Sequence, residues 1–265
     1  QSTCAIRISP LTMFRSSLLF LFGCIAISAA GALPSRAGRV VGGSDAAEGQ
    51  FPYQVSLRSA AGAHFCGGSI VNSRWILTAG HCAAGRTPVN TVVVVDTVTL
   101  DAGGVAHVAE RIVVHPQYSE GNLANDIAVI RVAVPIVFSS RVGPVSLAAE
   151  LLETGAGATL SGWGQTAVTG LLSNHLQFAS VDIITREECM NQHGAGTVGR
   201  IHEFSMCASS TVGAGVCMGD GGSPLTFSGL QEGIVSWGVP CGGKEPDVYT
   251  RVSAYRTWIA QNTVE

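Results

Sequence analysis

The chain has 265 residues, 46% of them hydrophobic and 12% charged, with a net charge of −3. That length buries a sizeable core in one or two domains. The weak charge and the lack of any basic run argue against a nucleic-acid partner. The 33 glycines are scattered, as turns of an all-β protein would scatter them, without a low-complexity repeat.

The first plausible start is Met13, so residues 1–12 read as translated upstream sequence rather than protein. Met13-Phe14-Arg15 supplies a positive charge, and Leu18 to Ala30 is a short apolar run ending in Ser28-Ala29-Ala30. Residues 13–30 are therefore expected to be a signal peptide. The run falls short of the roughly 20 apolar residues a membrane helix needs, and no later segment reaches that length. Residues 31–39 are small, basic and flexible and predict an activation peptide. It ends at Arg39-Val40, which looks like a tryptic activation bond, and Val40-Val41-Gly42-Gly43 opens the mature domain, 40–265.

Secretion makes the cysteines interpretable. Cys4 and Cys24 leave with the N-terminal segment. Cys66, Cys82, Cys189, Cys207, Cys217 and Cys241 remain, and counting alone leaves their pairing open. Zinc is the alternative use, but paired short Cys/His spacings of the zinc kind are absent.

From Val40 onward the pattern is that of short strands. Tyr53 to Arg58 alternates with period two, Asp126 to Val132 does so in part, and Val92 to Val95 is a β-branched run. Gly, Asn and Pro turns separate them, which predicts a sandwich or barrel. The stretch 134–157 is loop-like and would join two halves. At the end, Ser253 to Gln261 has an N-cap serine and spaced apolar residues, which predicts a short helix over 253–262.

Four motifs carry chemistry: Thr78-Ala79-Gly80-His81-Cys82 after a strand Trp75-Ile76-Leu77; Asn125-Asp126-Ile127-Ala128; Cys217-Met218-Gly219-Asp220-Gly221-Gly222-Ser223-Pro224; and Ser236-Trp237-Gly238. Singly each has a bland reading, since a histidine beside a cysteine is usually structural and Asn-Asp is common in turns. Together, and in this order, they resemble the chymotrypsin-like serine proteases from Val40 to the C-terminus. The resemblance implies an all-β fold of two six-stranded antiparallel barrels, over about 40–140 and 155–250, with a short C-terminal helix. It implies the disulfides Cys66–Cys82, Cys189–Cys207 and Cys217–Cys241. It makes His81 the general base and Asp126 the carboxylate that orients the imidazole. Ser236 would support Asp126, and the Ser236-Trp237-Gly238 backbone would pair with an extended peptide. The N–H groups of Gly219 and Gly221 would form the oxyanion hole, and Asp220 would accept the ammonium of Val40 after cleavage behind Arg39.

The third motif departs from the family, which reads Cys-x-Gly-Asp-Ser-Gly-Gly-Pro. Anchored on Cys217, Asp220 and Pro224, the nucleophile position is Gly221, which has no hydroxyl for acyl transfer. Ser223 is the one serine of the loop and sits two residues away, where a displacement of about 3.3 Å per extended residue exceeds the roughly 0.5 Å tolerance of a catalytic constellation. The expectation is a secreted serine-endopeptidase-family protein, activated after Arg39, that is catalytically inactive or impaired. The alternative is an active extracellular or digestive endopeptidase with Ser223 as nucleophile, or with the loop order misreported.

Gly215 occupies the position that carries aspartate in trypsin-like members, and Asp247 stands where the family usually has glycine. Gly215 with Asp247, beside Ser236, Trp237 and Gly238, resembles a chymotrypsin- or collagenase-like pocket open to large apolar, polar or basic groups. Alternatively Asp247 is tied up locally, with Lys244 as the nearest candidate. The segment from Asp96 to Gly104 offers two carboxylates, Asp96 and Asp101, where calcium wants six or more oxygen ligands, so no metal and no cofactor is expected. Expected partners are peptide or protein substrates, partner proteases and an activating trypsin-like protease, for a secreted monomer with no membrane and no nucleic acid.

Overall fold

The computed structural model describes residues 43–167, 169–209, 215–238 and 241–264. The expected upstream segment, signal peptide, activation peptide and Arg39-Val40 bond lie outside them. Strand β1 (Ser44–Asp45) leads in. Six strands follow: β2 (Gln54–Arg58), β3 (His64–Ile70), β4 (Trp75–Thr78), β5 (Val92–Val95), β6 (Val105–Val114) and β7 (Ala128–Val132). They close into a barrel in the order β2-β3-β4-β7-β6-β5. The period-two segment and the valine run are β2 and β5, and β4 is buried along its whole length.

The connecting stretch carries only the two-residue β8 (Ser146–Leu147), parallel to a later strand. The second set is β9 (Gly157–Gly162), β10 (Gln177–Ile184), β11 (Ser205–Ser209), β12 (Pro224–Phe227), β13 (Leu230–Trp237) and β14 (Asp247–Arg251). These run β9-β10-β11-β14-β13-β12, and β12 returns to β9 through Leu225 opposite Leu160, which closes a second six-stranded antiparallel barrel. Closure removes the exposed strand edges that an open sheet would leave. Along β10 the side chains of Gln177, Ala179, Val181 and Ile183 point inward in strict alternation, the periodicity a half-buried strand requires.

Among the described residues there are three short α-helices: α1 (Gly80–Ala83), α2 (Arg186–Gln192) and α3 (Arg256–Asn262). The C-terminal helix differs from expectation at its start. Val252–Tyr255 forms a 3-10 turn, α3 begins at Arg256, and no side chain caps it, so Ser253 is not its N-cap. The 3-10 geometry puts residues three apart on one face, and Val252 and Tyr255 are the buried pair it serves. Ile259 of α3 packs into the core of the first barrel, and Trp75 Nε1 donates to the carbonyl of Val264 at 3.3 Å. The last turn of the chain thus clamps the first barrel.

The disulfides are Cys66–Cys82, Cys189–Cys207 and Cys217–Cys241, the pairing the resemblance implied. Three disulfides suit an oxidising, extracellular compartment. No helix among the described residues is long and apolar enough to cross a membrane.

Candidate active site

The site lies where loops of the two barrels meet. His81 follows β4 on the single turn of α1, tethered by the Cys66–Cys82 bridge. Asp126 precedes β7. Asn125, just before it, takes a left-handed φ of 52°, which Asn tolerates better than most residues, and its carboxamide oxygen accepts from the Tyr255 hydroxyl at 3.0 Å. That turn aims the Asp126 carboxylate at His81. One oxygen accepts from the backbone N–H of His81 at 2.7 Å and the other lies 2.8 Å from Nδ1. The second oxygen also accepts from Ser236 Oγ at 2.6 Å, and Thr250 donates to the Asp126 carbonyl at 2.7 Å. Asp126 is 1% exposed while the His81 side chain keeps 29%. A carboxylate on Nδ1 holds the tautomer that leaves Nε2 free as an acceptor, so Nε2 presents a base to the cleft.

Gly221 stands directly against that nitrogen. A Cβ at this position would overlap His81 Nε2 and come within 3.5 Å of Cys82 Sγ, so the imidazole occupies the space a side chain would need. Ser223 is placed elsewhere. Its hydroxyl is fully buried between Gly67 and Gly162 and 3.5 Å from Gln54 Nε2, in the interface between the barrels.

The loop orients two amides. Met218 O accepts from Gln165 N–H at 2.8 Å and Asp220 O from Ser223 N–H at 2.9 Å. The described residues contain no cis peptide. In a trans peptide the N–H points opposite to the C=O, so the N–H groups of Gly219 and Gly221 point away from Gln165 and Ser223, and both glycines line a cavity of about 540 Å³. Neither is bonded to a backbone carbonyl among the described residues.

His64, which sequence reasoning missed, holds the same loop from the other side. Burial pushes its pKa down to about 4, so it is neutral near neutral pH. Gly219 O can only accept, so Nε2–H donates to it at 2.9 Å, and Nδ1 then accepts from the Ser56 hydroxyl at 2.8 Å. Nothing in the sequence near His64 signals this contact, because its partner is 155 residues away.

Asp220 is fully buried and accepts from the N–H of Gly164 at 2.7 Å and of Cys217 at 3.0 Å. Side chains at Gly162 or Gly164 would collide with its carboxylate. Burial raises its pKa to about 7, against the lowering effect of the two N–H bonds. No ion pair to a described cation relieves it.

The cavity continues past Val216, Ser236, Trp237 and Gly238. Asp247 lies behind Gly238, where a Cβ would strike its Oδ1. It is 7% exposed and accepts from Val216 N–H at 2.8 Å; no hydrogen bond joins it to Lys244 among the described contacts. Burial raises its pKa to about 7, with the negative charge of Asp220 adding to the effect. Gly215 adjoins Val216 with φ 142°. Asp96, the first carboxylate of the Asp96 to Gly104 stretch, is bound by the Arg141 guanidinium at 2.9 Å. Cys66, His81 and Cys82 form the one described cluster of metal-ligand types, but both sulfurs are joined in a disulfide and offer no thiolate.

Residues 40–259 match the family model described as Trypsin. The chain is 39% identical over 224 residues to Chymotrypsin-2 of Vespa crabro, covering 84% of this chain and 99% of that one. It is 36% identical over 235 residues to Trypsin delta of Drosophila erecta, with 88% and 91% covered, and 37% identical over 231 residues to Trypsin alpha-4 of Lucilia cuprina, with 86% and 89% covered. Two closed barrels, a buried carboxylate on the imidazole at their junction and similarity along almost the whole of these relatives lead to one conclusion: the chain belongs to the trypsin family of chymotrypsin-like serine proteases.

Proposed function

We propose that this protein is a secreted serine protease homologue, released by a signal peptide and matured by a trypsin-like cleavage after Arg39, that binds peptide segments but has lost efficient hydrolysis. The observation that carries the reading is Gly221 against His81 Nε2: the base is oriented, but no hydroxyl stands at the atom that would accept its help. Asp126 and Ser236 hold His81, the amides of Gly219 and Gly221 form the oxyanion hole, and the peptide backbone pairs along Ser236-Trp237-Gly238. Without a nucleophile, an otherwise complete triad site retains only about 10³–10⁴-fold over water. Full burial of Ser223 supports leaving it out of the chemistry, since no substrate carbonyl reaches it.

Asp220 is the switch for maturation in this reading. A fully buried carboxylate raised toward neutrality and lacking a described cation is suited to receive the Val40 ammonium. Gly215 and Asp247 shape the side-chain pocket, which takes apolar or polar groups and, with Asp247 ionised, basic ones. Intact groups around Gly221 favour the second reading, a working endopeptidase whose loop is misreported, and one experiment separates the two. The trypsin-matured chain is treated with a fluorophosphonate and assayed on peptide amides beside Gly221→Ser. Expected are no label on the unmodified chain and a gain of at least about 10⁴-fold in the variant, once the imidazole swings back from the new Cβ. Labelling and turnover of the unmodified chain at the variant's rate would overturn the proposal.

A further inference from the structure

Arg86 stands in the wall of the same cavity as His81 and Gly221, beside Phe65 and the Cys66–Cys82 bridge. Two contacts fix its plane. The guanidinium carbon lies 3.3 Å from the centroid of the Phe65 ring, and Nε donates to the Cys82 carbonyl at 3.0 Å. A guanidinium carries five N–H donors, so its two terminal nitrogens remain, and they have no partner among the described residues. By contrast, Arg141 is spent on Asp96 and Glu48, Arg131 on Glu110 and Arg256 on the Leu147 carbonyl. Among the described residues no Asp or Glu lines this cavity, and Asp247 stands behind Gly238. Partial burial already disfavours the charged form of Arg86, with no neighbouring acid to offset it. The result is a preoriented, unpaired cation stacked against an aromatic ring, in the wall of the same cavity that Ser236, Trp237 and Gly238 line.

We propose that Arg86 selects peptides with an acidic side chain one or two residues away from the residue held by the Ser236-Trp237-Gly238 wall of the same cavity. The inference rests on the peptide-binding reading above. A carboxylate fits the free edge of a guanidinium in a bidentate pair, and Phe65 holds the plane so that little rotamer freedom is lost on binding. Lysine would supply the charge without the fork.

The test is fluorescence anisotropy of the trypsin-matured chain with N-terminally labelled, C-terminally amidated hexapeptides. They share an aromatic residue for the pocket and differ only in Glu, Gln or Lys at the two positions before it or the two after it. Expected is a Kd about tenfold lower for the Glu peptide than for its Gln twin, weakening in high salt as a half-exposed ion pair should. Arg86→Gln abolishes that difference and Arg86→Lys keeps part of it, with thermal melting confirming that both variants fold. Equal binding of the Glu and Gln peptides, or a Glu preference that survives Arg86→Gln, overturns this inference alone. Failure of every peptide to bind overturns the peptide-cleft reading and this inference with it.

Discussion

At the scale of single residues, buried acids set the pH response. Asp247 has its pKa raised from 3.8 to about 7. Between those values the native state holds a proton that the unfolded chain has lost, so the Asp247 contribution to stability is whole below about 3.8 and disappears as pH rises through about 7. Asp220 acts in the same direction in the uncleaved chain, and His64 in the opposite one, since its lowered pKa makes the fold lose stability as pH falls from 6.5 toward 4. Asp247→Asn in the uncleaved chain is therefore expected to flatten the loss of stability between about pH 4 and 7; urea denaturation across that range checks it, and an unchanged slope would show that Asp247 is ionised in the fold. Short motifs resembling the family's marked His81, Asp126 and Ser236, which the structure brings within hydrogen-bond distance of one another through Asp126, and the glycine at 221 was legible as a departure from the family's motif. The Ser56–His64 arm was not, because its target is a carbonyl, which every residue has.

Elements carry the site by holding its loops still. The Cys189–Cys207 bridge ties α2, buried only through Cys189, to β11. Replacing both cysteines by alanine frees a loop with a sequence separation of 18 and is expected to cost about 3 kcal/mol, read from the denaturation midpoint. An unchanged midpoint would mean that α2 is held by packing alone. The segments β2, β5 and β7 were legible from alternation, partial in β7, or from a β-branched run, although burial on nearly every residue shows that both of their faces meet packed structure. The 3-10 start of the C-terminal helix was not: Ser253 looks like a cap locally, but the burial of Val252 and Tyr255 decides where the α-helix begins.

The whole molecule is two barrels joined through a polar seam. Gln54 of β2 accepts from Ser161 of β9 at 2.7 Å, and Ser69 of β3 donates to Gln231 of β13 at 2.6 Å, all fully or nearly fully buried. Buried hydroxyls without partners cost about 1–3 kcal/mol, so Gln54→Leu is expected to destabilise the protein by that amount in urea denaturation; a loss below about 0.5 kcal/mol would mean that the seam repacks. Ser223 belongs to this seam. By itself the sequence determined the all-β class, the family, the disulfide pairing through that family, and the odd glycine at 221, since these depend on residue identity and order along the chain. Only the tertiary structure decided that His81 fills the space beside Gly221, that Ser223 faces the barrel interface, that Asp247 is held by the Val216 amide, and that Arg86 is unpaired in the cleft. Each of those depends on groups brought together from distant segments, and distance in space is set by barrel closure and burial, which no local pattern encodes.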